Sequence, residues 1–157
     1  MVDPASACVV EPVRARDADV QVLLVALTAE LAGSGYTPEQ TFGYSVEQLE
    51  AGRVHLVGAR VAGRLVGVAG IEVQVHGLAE LKRFFVGPEH RGAGVADALI
   101  DALLAHAAGS HVRTVRLETG DEQRAAMGFY RRHGFVRVPR FSPYEASETS
   151  VCMERAL

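Results

Sequence analysis

Apolar side chains recur at Val20, Leu23, Leu24, Leu27 and Leu31, the three- and four-residue spacing of a helix with one buried face. Asp17 precedes that run as its cap, and Gly33-Ser34-Gly35 breaks it. A first strand is predicted ahead of the helix, from Cys8 to Ala15. A loop through Tyr36, Pro38 and Phe42 leads to a short helix begun by Ser45, with Glu47 and Gln48 in its first turn. Arg53 to Val61 and Leu65 to His76 form a hairpin about Ala62-Gly63-Arg64, and a further strand from Leu78 or Ala79 runs into Val86. Val95, Ala96, Leu99, Ile100, Leu103, Leu104 and Ala107 mark an amphipathic helix. Residues 112–138 then read as strand, helix and strand, with the helix stopped at His133-Gly134. The pattern predicts one mixed α/β domain over residues 1–157, built on a central, mostly antiparallel sheet.

Chemistry concentrates where the strand ending at Val86 meets the helix opening at Val95. Arg91-Gly92-Ala93-Gly94-Val95-Ala96 places two glycines at a strand-to-helix turn, where backbone N–H groups converge without Cβ interference. The helix start adds its positive dipole end, and Arg91 adds a permanent charge, so the turn suits a phosphate or pyrophosphate. It is not a dinucleotide fingerprint, because Asp97 stands where a small residue is needed after Gly94. Nor is it a Walker loop, because the chain has no Gly-Lys-Ser/Thr.

The turn resembles the acetyl-CoA-binding motif of the GNAT superfamily of N-acetyltransferases, Arg/Gln-x-x-Gly-x-Gly/Ala, with Arg91, Gly94 and Ala96 in the motif positions. A second segment carries the same resemblance: Tyr130-Arg131-Arg132-His133-Gly134-Phe135 matches the superfamily's Tyr-x-x-x-Gly-Phe helix end. Gln123 stands where an Asn is often found seven residues before that tyrosine. The resemblance implies a sheet of about six or seven strands flanked by about four helices. It also implies acetyl-CoA as cosubstrate and coenzyme A as product. The cofactor would be held by Phe85, Val86, Arg91, Gly92, Ala93, Gly94, Val95, Ala96, Gln123 and Tyr130.

Acetyl transfer from a thioester to an amine needs a group to take the ammonium proton, a donor for the carbonyl oxygen and an acid for the departing thiolate. The resemblance assigns the acid to Tyr130, whose phenol, with a pKa of about 10, stays protonated at neutral pH. It assigns the oxygen donor to a backbone N–H of Phe85 or Val86, and the base to Glu80, six residues before Val86 and expected on one strand face with Lys82 and Phe84. Glu72, Glu118 and His76 compete for the base role, as does water. The acceptor would lie among the loop carrying Tyr36, Phe42 and Tyr44 and the segment carrying Phe141, Pro143 and Tyr144. Lys82, Arg83 and Arg140 could receive a carboxylate if the acceptor were an amino acid.

Composition narrows the partners. The 157-residue chain has a formal charge of −3 and no basic stripe of the kind a nucleic-acid-binding module shows. No apolar run reaches the roughly 20 residues that span a bilayer. The opening MVDPASACVV lacks a basic region and a long apolar core, so no signal peptide is expected. Cys8 and Cys152 lack metal-ligand spacing and read as buried thiols of a cytoplasmic protein. The six histidines show no metal-binding pattern either. The expected partner is a small-molecule amine or amino-acid-like acceptor, and a homodimer is the ordinary default for a small enzyme. A protein lysine or N-terminal acetyltransferase, or a silent acyl-CoA-binding module, are the other readings of the same residues.

Overall fold

The computed structural model describes residues 7–41 and 43–157, so Phe42 and the first six residues of the opening segment lie outside it. Its elements run β1 (Val9–Pro12), α1 (Ala18–Gly33), α2 (Pro38–Thr41), α3 (Val46–Glu50), β2 (Val54–Val61), β3 (Arg64–Val73) and β4 (Leu78–Val86). After a 3-10 turn (Pro88–His90) follow α4 (Val95–Gly109), β5 (Thr114–Gly120), α5 (Arg124–Arg132), β6 (Val136–Val138) and β7 (Ser150–Ala156). The strands form one sheet in the order β1-β2-β3-β4-β5-β7-β6. All neighbours are antiparallel except β4 and β5, which run parallel.

Helices cover both faces of the sheet, as the amphipathic runs require. On one face, Leu99, Ile100 and Leu103 of α4 are fully buried against Val57, Ala69, Ile71 and Val115. On the other, Val20, Leu24 and Leu27 of α1 and Leu49 of α3 pack on Leu56, Val68 and Phe85. Each such side chain contributes about 1.5–3 kcal/mol when removed from water. Ser45 closes α3 with a capping box, its hydroxyl accepting from the Gln48 N–H while the Gln48 side chain accepts from the Ser45 N–H.

Several expectations need correction, beginning with the loop through Pro38, where Pro38–Thr41 form the short helix α2. The first strand stops at Pro12, three residues before Ala15, because the chain turns there to enter α1 and buries Ala15 with that helix. Asp17 holds the cap position of α1, but its carboxylate accepts from the Arg14 N–H ahead of the helix and from no N–H within it. The second long strand ends at Val73, and His76 lies in the following turn at φ +60°.

The correction that matters for chemistry is in β4. Val68 pairs with Phe85 and Gly70 with Lys82, so Arg83 and Phe84 together face Ala69 in a β-bulge, with Arg83 at φ +54°. The extra residue inverts the alternation. Phe84 therefore turns to the α4 face, leaving Glu80 and Lys82 without it. The β4–β5 pairing is also short, covering only Leu78–Glu80 against Thr114–Arg116. Beyond Glu80 the two strands part.

Candidate active site

Where β4 and β5 diverge, a cleft of about 540 Å³ opens, a size suited to small ligands. Its walls are residues 81–86 of β4 and 117–120 of β5, with Ala126, Phe129 and Tyr130 of α5. Leu27, Glu30 and Leu31 of α1, and Gln40, Thr41 and Gly43 after it, close the remaining side. Tyr36 ties the two sides together: its hydroxyl accepts from the Glu122 N–H at 2.8 Å and its ring lies so close over Gly120 that a Cβ there would collide with it.

The glycine turn lies at one end of this cleft, with Arg91, Gly92 and Ala96 in its wall. Gly92 at φ +77° and Gly94 at φ +84° bend the chain into a left-handed form that other residues rarely adopt. Nothing stands within 4 Å of where a Cβ would be at either position. The first main-chain bond of α4 is Ala98 N–H to Gly94 O, so the donors ahead of it are the orphan N–H groups of a helix start. An open concavity lined with such donors fits the pyrophosphate of coenzyme A. Arg91 braces it, donating from Nε to Val86 O at 2.9 Å and pairing through Nη2 with Glu30 at 2.8 Å. Asp97 accepts or shares a hydrogen bond with His133 Nε2 at 2.7 Å, fastening the start of α4 to the end of α5.

Ladder alternation points the backbone N–H groups of Phe85 and Val86 in opposite directions. Gly87 N–H bonds to Val66 O, so Val86, one residue earlier, directs its N–H and C=O away from β3. The bond from Arg91 to Val86 O agrees with that direction. By the same alternation Phe85 turns its N–H toward β3, leaving the Val86 N–H on the open side.

The competing acids are separated by the fold. Glu118 lies in the cleft wall, where burial above all pushes its carboxyl up to about 7, with Glu80 adding repulsion. The Ser150 hydroxyl donates to it at 2.6 Å, which opposes the rise. Glu80 is buried outside the lining, paired with Lys82 Nζ at 2.9 Å and accepting from Tyr144 Oη at 2.7 Å and Gln74 Nε2 at 3.2 Å. Glu72 accepts from Tyr44 Oη at 2.9 Å, also away from the cleft. His76 is in the turn at the opposite end of β4 from Val86.

Tyr130 is buried in the cleft wall among the rings of Phe84, Phe129 and Phe135. Burial first, then the nearby Glu118, holds its phenol well above the ordinary value, so it keeps its proton. No hydrogen bond within the described residues occupies its hydroxyl. Gln123 also lines the cleft, at the cap position of α5.

Of the aromatic residues expected around an acceptor, Tyr36 and Tyr144 line the cleft. Tyr44 stands behind Lys82, whose ammonium sits 4.2 Å from the centre of its ring; burial and the bond to Glu72 push this phenol up to about 12. Phe141 packs on Tyr144 and under Arg116. Arg140 holds the carbonyls of Glu148 and Ser150 and is outside the lining. Ser150, Glu30 and Thr28, which fix Glu118, Arg91 and Arg83, were not found from the sequence, because they belong to no motif and sit 32 to 61 residues from their partners. Both cysteines are free, Cys8 half-buried and Cys152 buried. Among the described residues no cluster of His, Cys, Asp or Glu could hold a metal, and no single helix is long and apolar enough to cross a membrane.

Comparison with known proteins identifies the family and the fold. Residues 24–135 match the model of the acetyltransferase (GNAT) family. An IAA acetyltransferase of Azospirillum brasilense is 30% identical over 147 residues, covering 91% of this chain and 96% of its own. A crystal structure described as an acyl-CoA N-acyltransferase from Klebsiella pneumoniae superposes with a TM-score of 0.80 at 31% identity, over 97% of this chain and 99% of that one. The PaiA N-acetyltransferase of Thermoplasma acidophilum, solved with coenzyme A, shares the fold with a TM-score of 0.78 at 16% identity, over 96% and 99% of the two chains. The chain thus belongs to the acetyltransferase (GNAT) family, as an N-acetyltransferase whose cosubstrate is acetyl-CoA.

Proposed function

We propose that this acetyltransferase acts on a primary amine of a small molecule or amino-acid-like acceptor, with Glu118 as proton acceptor and Tyr130 as proton donor. The observation that carries this reading is that the two groups line one cleft in complementary protonation states. Glu118, at about 7, is part-ionised near neutrality, while Tyr130 remains protonated. Acetyl-CoA, when bound, supplies an acetyl group activated as a thioester. The backbone donors of residues 92–96 would hold its pyrophosphate, with Arg91 bracing the turn, and Gln123 would add a polar contact. Phe85 packs beneath Arg91, with the guanidinium 5.5 Å from the ring centre. Glu118 takes a proton from the acceptor ammonium, freeing the lone pair that forms the new N–C bond. Val86 N–H offers a hydrogen bond to a carbonyl oxygen in the cleft. Tyr130 Oη would give its proton to the sulfur as the C–S bond breaks, and the second proton that the nitrogen sheds in becoming an amide would return to the Tyr130 phenolate, so that one net proton leaves through Glu118.

Glu80 serves this arrangement from behind. Its charge is spent on Lys82 and Tyr144, and its repulsion contributes to the raised pKa of Glu118. The Tyr36 bridge favours a small acceptor over a protein tail, because it ties α1 and the following loop to the β5 end and narrows the opening. Free thiols at Cys8 and Cys152 fit the reducing cytoplasm, where we place the protein.

Thermal unfolding with acetyl-CoA, coenzyme A and ATP tests the donor site. At about 100 times Kd a specific ligand stabilises by about 2.7 kcal/mol, so acetyl-CoA and coenzyme A should raise Tm by several degrees and ATP should not. Tyr130→Phe should keep that shift while lowering acetyl transfer roughly 10²- to 10⁴-fold. Unchanged turnover in Tyr130→Phe would remove Tyr130 from the chemistry.

A further inference from the structure

We propose that Arg83 selects the acceptor, and that the acceptor carries a carboxylate besides its amine. This deepens the acetyl-transfer reading above and rests on it. Three cations line the cleft, namely Lys82, Arg83 and Arg91. Lys82 is neutralised by Glu80 and Arg91 by Glu30. Arg83 has no carboxylate within ion-pair distance among the described residues.

Its guanidinium is held nevertheless. Nη2 donates to Leu24 O at 3.0 Å and to Thr28 Oγ1 at 2.7 Å, both uncharged acceptors on α1. Nη1, beside Gly43, is bonded to nothing in the described chain, and Nε is buried without a partner. Burial lowers the pKa of Arg83 from its ordinary value, a sign that the charge is poorly compensated, yet an arginine does not give up its proton in a protein. Arg83 also occupies the bulge at φ +54°, a conformation unfavourable for a long side chain. A fold that keeps an uncompensated, half-buried cation on the wall of its ligand cleft has room for one anion. On the reading above the pyrophosphate has its seat at residues 91–96, and the ribose 3′-phosphate of coenzyme A lies beyond it, on the side away from the thioester, so the anion at Arg83 belongs to the other substrate. Nη1, with two N–H donors and no partner, suits a carboxylate oxygen.

The test uses the common L-amino acids and their carboxamides as acceptors, with acetyl-CoA as donor and kcat/KM as the readout. At least one amino acid should be acetylated, and it should exceed its own carboxamide by roughly ten- to a hundredfold, the range of a charge-assisted hydrogen bond. Arg83→Gln should bring that ratio toward one while the acetyl-CoA-induced rise in Tm persists. Thr28→Val, which removes only the hydroxyl anchoring Nη2, should lower the same ratio partway and carries the test if Arg83→Gln does not fold. Equal use of acids and amides by the unmodified protein would overturn the assignment and leave acetyl transfer standing. So would a rise in Tm with acetyl-CoA but no transfer to any acid in the panel. A loss of acetyl-CoA affinity in Arg83→Gln with the ratio intact would overturn it by moving Arg83 to the donor site. No transfer and no rise in Tm would bring down both readings together.

Discussion

Glu118 and Tyr130 are both shifted upward for one reason, since burial disfavours the charged form of each. For Glu118 this has two measurable consequences. As a base it must be ionised, so acetyl transfer should rise with pH through about 7. Stability should move the other way. The carboxyl's folded-state pKa is raised from 4.5 to about 7, so the fold favours the protonated form; that stability is fully present below about 4.5 and lost as pH rises to about 7. The loss is of order 3 kcal/mol at most. Glu118→Gln should therefore show a higher Tm than the unmodified protein at pH 8 and nearly the same Tm near pH 5, while losing most of its activity. A Glu118→Gln protein less stable at pH 8, or one with full turnover, would contradict the assignment. Little of this was legible from the residue alone. Tyr130 could be recognised because a local motif surrounds it, whereas the choice between Glu118 and Glu80 depends on Lys82, Tyr144 and Ser150, which reach those acids through the sheet register and the β7 edge.

Among elements, the turn before α4 is the one whose form and sequence agree most closely. Two glycines at positive φ and an apolar stripe at helical spacing leave few alternatives, and the helix starts at the expected residue. Gly94→Ala should cost roughly 1–2 kcal/mol of backbone strain and project a methyl group into the concavity. Isothermal titration should then show acetyl-CoA binding weakened by about tenfold or more, an effect absent from Gly33→Ala at the end of α1, where no positive φ is required. Unchanged affinity in Gly94→Ala would mean that the turn does not hold the cofactor. The bulge in β4 is the opposite case. Neither Arg83 nor Phe84 is a residue that signals one, and alternation along the strand pointed to the wrong face for Phe84. The bulge is a property of two strands, created by the register with β3, so a single strand's pattern could not disclose it.

For the whole molecule, the hydrophobic periods predicted most of the elements up to residue 138 in their order, but not α2, the strand β7 or where the sheet would come apart. Hairpins close locally, so β2 and β3 could be paired from their turn. The β4–β5 contact joins strands separated by an entire helix, and its length of three residue pairs appears only in the fold. Amide hydrogen exchange should reveal the difference. Saturating acetyl-CoA should slow exchange at residues 82–86 and 117–120, on the two walls of the split, and leave the β2–β3 ladder nearly unchanged. Uniform protection throughout the sheet would instead indicate general stabilisation, with no ligand seated between these strands.

The split also bears on how the protein avoids its own kind. Strand edges usually lie at the margins of a sheet, where their unpaired amides can recruit another chain and begin aggregation. Here two further edges lie in the middle of the sheet, face to face, with α1 and α5 beside them and Tyr36 tying the loop after α1 to the β5 end. A second polypeptide strand would have to enter from the mouth of that recess, but a slender substrate can slide in. The molecule thus keeps backbone amides exposed for function at a place where exposure carries little danger of self-association.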